Sequence, residues 1–457
     1  MLFNSLDFIV FLTIILSIYW LAQKIFKSNF LEIQNILLLI SSFIFYSYWN
    51  YKFLFLLAFI ILFGFFIGDL LNKKNGNKLI VLRIGVIVHI LILFVFKYYN
   101  FFVEEFIEVF EIQRDSFFKI VLPIGISFYI FHGISYIVDI YNNKILPTKS
   151  IVQYGVFISY FPLLVSGPIE RATNLLPQLN QIRKLNKEKI KLALTLIIWG
   201  YLKKTVIADN LSIFSDYTFN IENEITGIYT IVGILFFSIQ IYCDFSGYTD
   251  IAIGVSKLFG IQLVQNFNYP YFSKNIKEFW SKWHISLTSF FRDYLYIPLG
   301  GSRVSNTKKI RNIFLVFIIS GFWHGANWTF IIWGLIHFIF YIPFMIDDLK
   351  KHVKQIEIKI GIFNYIITFS IVTFAWIFFR ANSFNESIIV LKNIFLRSNN
   401  LSYDFLLYDF IILMIFITFE IISFKKANNM YKFIPIMLII IAFLRSVESQ
   451  AFIYFQF

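Results

Sequence analysis

Two histidines occupy positions where an imidazole could carry out acid–base chemistry, and His324 is the first of them. It lies in residues 312–346, a stretch of 35 residues without Lys, Arg, Asp or Glu, and it follows Arg311 by 13 residues. On a helix this spacing is about 20 Å of rise, deep inside a membrane span. A neutral imidazole at that depth can accept a proton. The competing interpretation is a packed histidine that donates to a neighbouring carbonyl.

His284 is the second candidate. Trp280, His284, Leu287 and Phe291 are spaced at i, i+4, i+7 and i+11, which predicts one helix with these side chains along one face. Such a helix would lie at the cytoplasmic surface of a membrane. The alternative is an aromatic belt at the lipid interface, in which His284 contacts only headgroups.

The remaining nucleophilic and ligating residues give weaker signals. His89, His132 and His337 lie in apolar segments and are expected to be packed and singly hydrogen-bonded, whereas His352 lies in a charged segment. Cys243 is the single cysteine, and no spacing suits zinc or di-iron, so we expect no metal and no bound cofactor. There is no phosphate-binding glycine loop, and Ser246 lacks the Gly-x-Ser-x-Gly context of a hydrolase nucleophile.

The elements that position these residues must be membrane helices. The 457 residues are 58% hydrophobic and 15% charged, whereas soluble proteins are about 45–50% apolar and about 25% charged. This composition excludes a soluble multi-domain enzyme and predicts an all-α polytopic membrane protein, with residues 1–457 forming a single membrane domain. The net charge of +13 then indicates cytoplasmic loops and lipid headgroups, not a nucleic-acid partner.

Apolar stretches and loop charges together predict a topology of about 11 transmembrane helices. Residues 69–83 are basic and therefore cytoplasmic, whereas residues 97–119 are acidic and therefore external. Residues 272–311 carry eight cations against Glu278 and Asp293, which predicts a cytoplasmic amphipathic or re-entrant section. Counting spans from these loops places both termini outside the cell, with an extracytoplasmic tail at 445–457.

One apolar stretch does not fit simple alternation. Residues 139–150 and 171–191 are both expected inside, so the stretch 151–169 between them must enter and leave on the same side. Pro162, Gly167 and Pro168 supply the breaks that a re-entrant segment needs. Irregular backbone at membrane depth persists only where it is buried in protein or lines a wet cavity. The sequence therefore predicts an internal cavity.

Seven segments, in chain order, resemble the membrane-bound O-acyltransferase family, and more narrowly its bacterial branch that O-acetylates alginate or peptidoglycan. The resemblance runs from about residue 30 to the end of the chain. One departure is His132, where the branch usually has Gln. The segments are residues 122–128, 166–169, 243–250, 279–301, 323–325, 379–381 and 452–457.

The resemblance implies a fold with a central tunnel and a reaction of acyl transfer. His324 matches the catalytic histidine of the family, and His284 matches its His/Asn partner. Tyr454 matches a tail tyrosine thought to accept the acyl group and pass it to an extracytoplasmic SGNH-type acetyltransferase. Without the resemblance, Tyr454 would be interpreted as an interfacial aromatic residue. The implied donor is acetyl-CoA, and the final acceptor is a cell-envelope polysaccharide, either peptidoglycan or an alginate-like polymer.

Further residues are candidates for contact with substrate. Trp323 and Asn327 could donate hydrogen bonds to the oxyanion, and Lys and Arg residues of 272–311 could attract the phosphates of a cytoplasmic donor. The other tunnel or substrate candidates are Trp280, Arg292, Asp293 and Asp244.

Two alternative functions remain open. One is D-alanyl transfer to teichoic acid from an acyl-carrier protein. The other is a transporter with midplane histidines, against which the absence of an internal repeat counts. In each case membrane lipids surround the chain.

Overall fold

A computed structural model describes residues 1–26, 29–73, 77–110, 118–165, 167–398, 404–445 and 452. All regular secondary structure in these ranges is helical. The π-helical turns are Leu202–Ala208 and Arg292–Tyr296, and the 3-10 turns are Ile221–Asn223, Ile342–Phe344 and Ala427–Phe433. The α-helices are Leu6–Ile25, Phe30–Asn50, Phe53–Asn72, Lys78–Phe110, Ile126–Tyr141, Ile151–Ser159, Phe161–Leu164, Ala172–Leu179, Lys187–Tyr201, Asp209–Phe219, Ile228–Leu258, Ile276–Lys282, Ile285–Phe291, Asn306–His324, Trp328–Tyr341, Asp347–Ile360, Phe363–Arg380, Phe384–Asn393, Asp404–Lys426 and Ile434–Leu444.

Seven helices of the described ranges are long and apolar enough to cross a membrane, and one bent pair makes an eighth candidate. Shorter apolar helices lie at Ile126–Tyr141, Ile151–Leu164 and Asn429–Leu444. Large apolar side chains such as Phe55 and Leu62 are exposed on the spans, whereas polar Gln34 and Asn35 are buried. This distribution suits lipid as the surrounding solvent. The predicted all-α polytopic membrane fold is confirmed.

The bent pair consists of residues Trp328–Phe344 and Leu349–Ile360, which meet at 93°. The second helix is amphipathic: Leu349, Ile356 and Ile358 are exposed apolar residues, and they alternate with several lysines. A helix of this composition is typical of a membrane interface.

Internal contacts divide the chain into two compact units. The first contains Met1–Ile197 and Thr249–Val264, and the second contains Ile198–Tyr248 and Gln265–Phe457.

In the first unit, a buried arginine fixes the chain after residue 180 to the first two helices. Arg183 donates from Nε to the Tyr19 hydroxyl at 2.7 Å and from Nη1 to Asn35 Oδ1 at 2.8 Å. Because a buried guanidinium needs hydrogen-bond acceptors, these bonds fix the position of the 180–186 connection.

The broken segment predicted at 151–169 is broken in the structure. Helix Ile151–Ser159 ends, the chain turns at Tyr160, and a four-residue helix follows at Phe161–Leu164. Gly125 packs against this second helix with φ +73°, and a Cβ on it would lie 1.9 Å from the Leu164 carbonyl oxygen. Only glycine fits both the left-handed backbone and this approach.

His132 has a structural contact in this region. Its Nε2 accepts the backbone N–H of Glu170 at 3.1 Å, and both side chains are buried. Glu170 in turn accepts from Asn174 Nδ2 at 2.7 Å. His132, which replaces the Gln usual in the branch, therefore binds the backbone at Glu170, just after the broken segment.

In the second unit, the long uncharged stretch forms two packed helices, Asn306–His324 and Trp328–Tyr341. They run antiparallel, because a Cβ on Gly321 would lie 2.3 Å from the Phe330 carbonyl oxygen and one on Gly334 would lie 2.5 Å from that of Phe317. The first helix contains both Arg311 and His324, so the predicted helical spacing between these two residues is confirmed.

Candidate active site

His324 is the last residue of helix Asn306–His324. The helix ends there because Gly325 is extended, and the next helix begins after Asn327. The imidazole is buried, and three aromatic rings surround it: Trp323, Trp333 and Phe379 have centroids at 4.9, 5.0 and 5.2 Å. A base in such a site is shielded from bulk water, which strengthens electrostatic interactions with a reacting group.

His284 lies between two short helices, so the prediction of one continuous helix through residues 280–291 is wrong. Helix Ile276–Lys282 ends before it, helix Ile285–Phe291 follows it, and His284 itself is left-handed with φ +43°. The break is held by Asn266, whose carbonyl accepts the Ile285 N–H at 2.9 Å and whose Oδ1 accepts from the Ser286 hydroxyl at 2.8 Å. Trp280 and Phe291 therefore lie on different helices.

The geometry of His284 determines which ring nitrogen carries the proton. Its Nδ1 accepts the Leu287 N–H at 3.4 Å as the N-cap of the second short helix. His284 lies outside the candidate spans, and burial lowers its pKa, so the ring is neutral at pH 7. The proton of a neutral ring is then on Nε2, which is buried and has no hydrogen-bond partner among the described residues. His284 can therefore donate a hydrogen bond to a ligand.

The two histidines predicted to act together share one neighbour. Trp323 has its ring centroid 4.9 Å from that of His324 and 6.0 Å from that of His284. Trp323 is itself buried. The structure therefore brings residues 284, 323 and 324 together.

Trp280 belongs to the same aromatic cluster, which contains Trp323, Trp333 and Phe379, through its contact with Trp333. Its ring is 5.7 Å from that of Trp333, and its indole N–H donates to His337 Nδ1 at 3.3 Å. Trp333 did not stand out in the sequence, and Phe379 stood out only as part of the resembling segment 379–381. Their contacts with His324 arise from the packing of separate helices, so neither residue was a site candidate.

A cavity of about 410 Å³ opens beside this cluster within the second unit. Trp280 and Ser320 line it, and Ser320 precedes His324 by one helical turn. Its volume is within the usual range for small-molecule sites. The lining combines four cations with aromatic side chains, which suits a ligand with an anionic head and an apolar or amide-containing arm: Lys277, Arg292, Lys309 and Lys350, with Phe291, Tyr296, Phe317, Tyr341 and Phe344.

The other predicted site residues have separate environments. Arg292 lines the cavity and donates from Nε to Asp293 Oδ1 at 2.7 Å. Asn327 caps a helix by accepting the Thr329 N–H, and its Nδ2 donates to the Asn382 carbonyl at 2.6 Å, so its amide is already engaged. Asp244 is buried and paired with Lys204. Tyr454 lies outside the described residues.

Phe452, two residues before Tyr454, is described and lies near the surroundings of His284. Phe452 is buried, and its ring centroid is 4.6 Å from that of Tyr248 and 5.8 Å from that of Phe245. Phe245 in turn lies 4.7 Å from the His284 ring. The ring of Phe245 therefore lies between those of Phe452 and His284 in this series of contacts.

Comparison with known proteins agrees with these features. A family profile described as MBOAT, membrane-bound O-acyltransferase family, matches residues 43–386. A probable alginate O-acetylase AlgI of Pseudomonas aeruginosa is 38% identical over 390 residues, covering 84% of this chain and 72% of that protein. A peptidoglycan O-acetyltransferase of Helicobacter pylori is 36% identical over 425 residues, covering 86% and 80%.

More distant similarity extends to a teichoic acid D-alanyltransferase of Bacillus subtilis, 30% identical over 279 residues, covering 58% of this chain and 70% of that protein. The profile spans most of the chain and includes both His284 and His324. The chain belongs to the membrane-bound O-acyltransferase family and is an O-acyltransferase.

Proposed function

We propose that this protein transfers an acetyl group from a cytoplasmic thioester across the bacterial inner membrane, for O-acetylation of peptidoglycan or an alginate-like polysaccharide. The observation that carries the proposal is the contact of both His284 and His324 with Trp323, near a cavity with a cationic lining. The alginate and peptidoglycan enzymes among the relatives support acetyl as the acyl group.

In this mechanism His324 acts as the general base. It removes the proton of the acceptor hydroxyl as that oxygen attacks the thioester carbonyl. The tetrahedral intermediate collapses with cleavage of the C–S bond, and the imidazolium returns the proton to the departing thiolate. A general base of this kind contributes about 10²–10⁴-fold to the rate.

His284 stabilises the charge that develops on the carbonyl oxygen. Its Nε2 carries the proton and is buried, which are the properties of an oxyanion donor. Because Asn327 already uses its amide in a helix cap and in a bond to Asn382, it is a weaker candidate for this role.

The cavity is the proposed entry for acetyl-CoA. Cations of its lining, Lys277, Lys309 and Lys350 among them, would attract the phosphates, while the aromatic side chains contact the arm. Loop charges support an orientation with this cavity on the cytoplasmic side and both termini outside.

Tyr454 is the proposed acceptor that relays the acetyl group to an extracytoplasmic SGNH-type transferase. What supports this role is the buried contact of Phe452, two residues earlier, with Phe245, which also packs against His284. A relay explains how a donor inside the cell can serve a polymer outside it.

D-alanyl transfer to teichoic acid is the second candidate, favoured by the Bacillus subtilis relative. A carrier-bound D-alanyl thioester would use the same histidines. The two functions differ in the donor that supports transfer, so radiolabelled acetyl-CoA and a D-alanyl carrier protein distinguish them.

The test is His324→Ala, with His352→Ala, an exposed histidine outside the cavity lining, as the matched control. Alkali-released acetate from the cell envelope is measured together with the amount of each variant in the membrane. We expect His324→Ala to lose acetylation and His352→Ala to retain it. Full acetylation by His324→Ala would refute the proposal.

A further inference from the structure

The hydrogen bond between Trp280 and His337 fixes the protonation of a second buried histidine. An indole N–H can only donate, so His337 Nδ1, 3.3 Å from Trp280 Nε1, must be the acceptor. A neutral imidazole that accepts at Nδ1 carries its proton on Nε2. His337 therefore presents one N–H donor at Nε2, and the ring is fully buried.

This donor has no hydrogen-bond partner among the described residues, and neither does the indole N–H of Trp333. Both side chains are completely buried. A buried donor without an acceptor is costly, and native proteins almost always provide one. Two such donors on neighbouring turns of helix Trp328–Tyr341, four residues apart, indicate that a ligand supplies the acceptors.

The position of the two donors indicates which ligand. Trp280 and Phe317 line the cavity, and their rings lie 5.0 and 6.3 Å from that of His337. The ring of Trp333 lies 5.0 Å from that of His337 and 5.0 Å from that of His324. His337 and Trp333 thus connect the cavity-lining rings to the proposed catalytic base through ring contacts.

We propose that His337 Nε2–H and Trp333 Nε1–H donate hydrogen bonds to carbonyl oxygens of the acyl donor's pantetheine arm. The inference rests on the proposed function, since it takes a thioester of coenzyme A or of a carrier-bound pantetheine as the donor. That arm has two amide carbonyls and ends in the thioester carbonyl, all of them acceptors. The cations of the cavity hold the phosphate end, and the two donors fix the register that brings the thioester to His324.

The experiment measures equilibrium binding of acetyl-CoA to the full chain in lipid nanodiscs, in a His324→Ala background that does not consume the donor. Trp333→Phe removes one N–H and keeps an aromatic ring; His337→Phe does the same and also removes the Nδ1 acceptor of Trp280. We expect each to weaken binding about fivefold, the value of one ordinary hydrogen bond. His337→Gln, which restores an N–H donor, is expected to recover most of the affinity.

Trp376→Phe is the matched control. Trp376 stacks on Trp333 at 5.8 Å, but its own N–H already donates to the Tyr271 hydroxyl at 3.3 Å. The Trp376→Phe variant should therefore bind acetyl-CoA as tightly as the parent. This control separates loss of a donor to the pantetheine arm from loss of aromatic packing. Thermal unfolding of each variant confirms that it is folded.

Two results would overturn the inference in distinguishable ways. If the parent binds acetyl-CoA and His337→Phe and Trp333→Phe bind it equally well, the two N–H groups are not donors to the arm. If the parent binds neither acetyl-CoA nor a pantetheine-bearing carrier protein, the proposed donor itself is wrong, and the inference fails with it.

Discussion

The ammonium of Lys204 lies 2.8 Å from Asp244 Oδ1, and both side chains are buried. The same ammonium is 2.9 Å from Asp209 Oδ1. Lys204 lies in the π-helical turn Leu202–Ala208. Its ammonium lies over the ring of Tyr248, a residue of helix Ile228–Leu258. This cluster links the π-helical turn to the part of helix Ile228–Leu258 that carries Phe245, the neighbour of His284.

Removal of the central cation should therefore destabilise the second unit strongly. Lys204→Met leaves two buried carboxylates without their ammonium, and we expect a loss of about 3–5 kcal/mol. Asp244→Asn should cost less, because Lys204 keeps Asp209 as its partner. Thermal unfolding in detergent provides the measurement. Lys73→Met, which breaks the exposed pair with Asp69, should change stability by less than about 1 kcal/mol; equal melting of Lys204→Met and Lys73→Met would contradict the prediction.

Asparagine should replace His284 better than leucine does. The position needs a left-handed backbone, an acceptor that caps helix Ile285–Phe291, and a donor toward the site. Asn tolerates φ > 0 and is a favoured N-cap, so His284→Asn should retain part of the acetyl transfer that His284→Leu loses. Transfer per unit of membrane protein is the readout. Similar activity of the two variants would argue against the donor role.

Phe452 should matter for delivery of the acetyl group and not for donor binding. Phe452→Ala removes the ring that packs on Tyr248 and Phe245, and because Tyr454 is the proposed acceptor two residues later, envelope acetylation should fall several-fold. Acetyl-CoA affinity should stay at the parental value. Phe443→Ala is the control, because Phe443 is an exposed aromatic residue of the last helix; a matching decrease in that variant would contradict a specific role for Phe452.

Reversal of charge in the cavity lining should weaken donor binding in a salt-dependent way. Lys309→Glu with Lys350→Glu is expected to raise the KM for acetyl-CoA at low ionic strength, and added salt should reduce the difference. S-acetyl-N-acetylcysteamine, a thioester without phosphates, should show no such change. Lys359→Glu alters an exposed lysine of the same amphipathic helix outside the lining, and it should resemble the parent in both assays.

The sequence was sufficient for features that depend on local composition. The charge-free stretch around His324 predicted a helical position, and helix Asn306–His324 provides it. The breaks near Pro162 predicted an interrupted segment, and the chain turns at Tyr160. Both signals come from hydropathy and backbone chemistry, which act within a few residues.

The sequence was insufficient where distant residues decide the geometry. The spacing of Trp280 and His284 suits one helix, yet hydrogen bonds that Ile285 and Ser286 donate to Asn266 hold a break between two short helices. Trp333 and Phe379 reach His324 only because three separate helices pack together. No periodicity encodes such contacts, so the surroundings of the base became visible only in the folded chain.

The 93° turn before helix Asp347–Ile360 has a consequence for the energetics of donor capture. A helix perpendicular to a span lies along the membrane surface, and Lys350 of this helix lines the cavity. In the proposed orientation the cavity opens into the surface potential of the cytoplasmic leaflet, about −30 mV, which opposes each negative charge by about 0.7 kcal/mol. A polyanionic thioester would be depleted there about threefold per charge, and the lysines offset that depletion locally. A more anionic leaflet would then lower the donor concentration at the cavity and raise the apparent KM for acetyl-CoA.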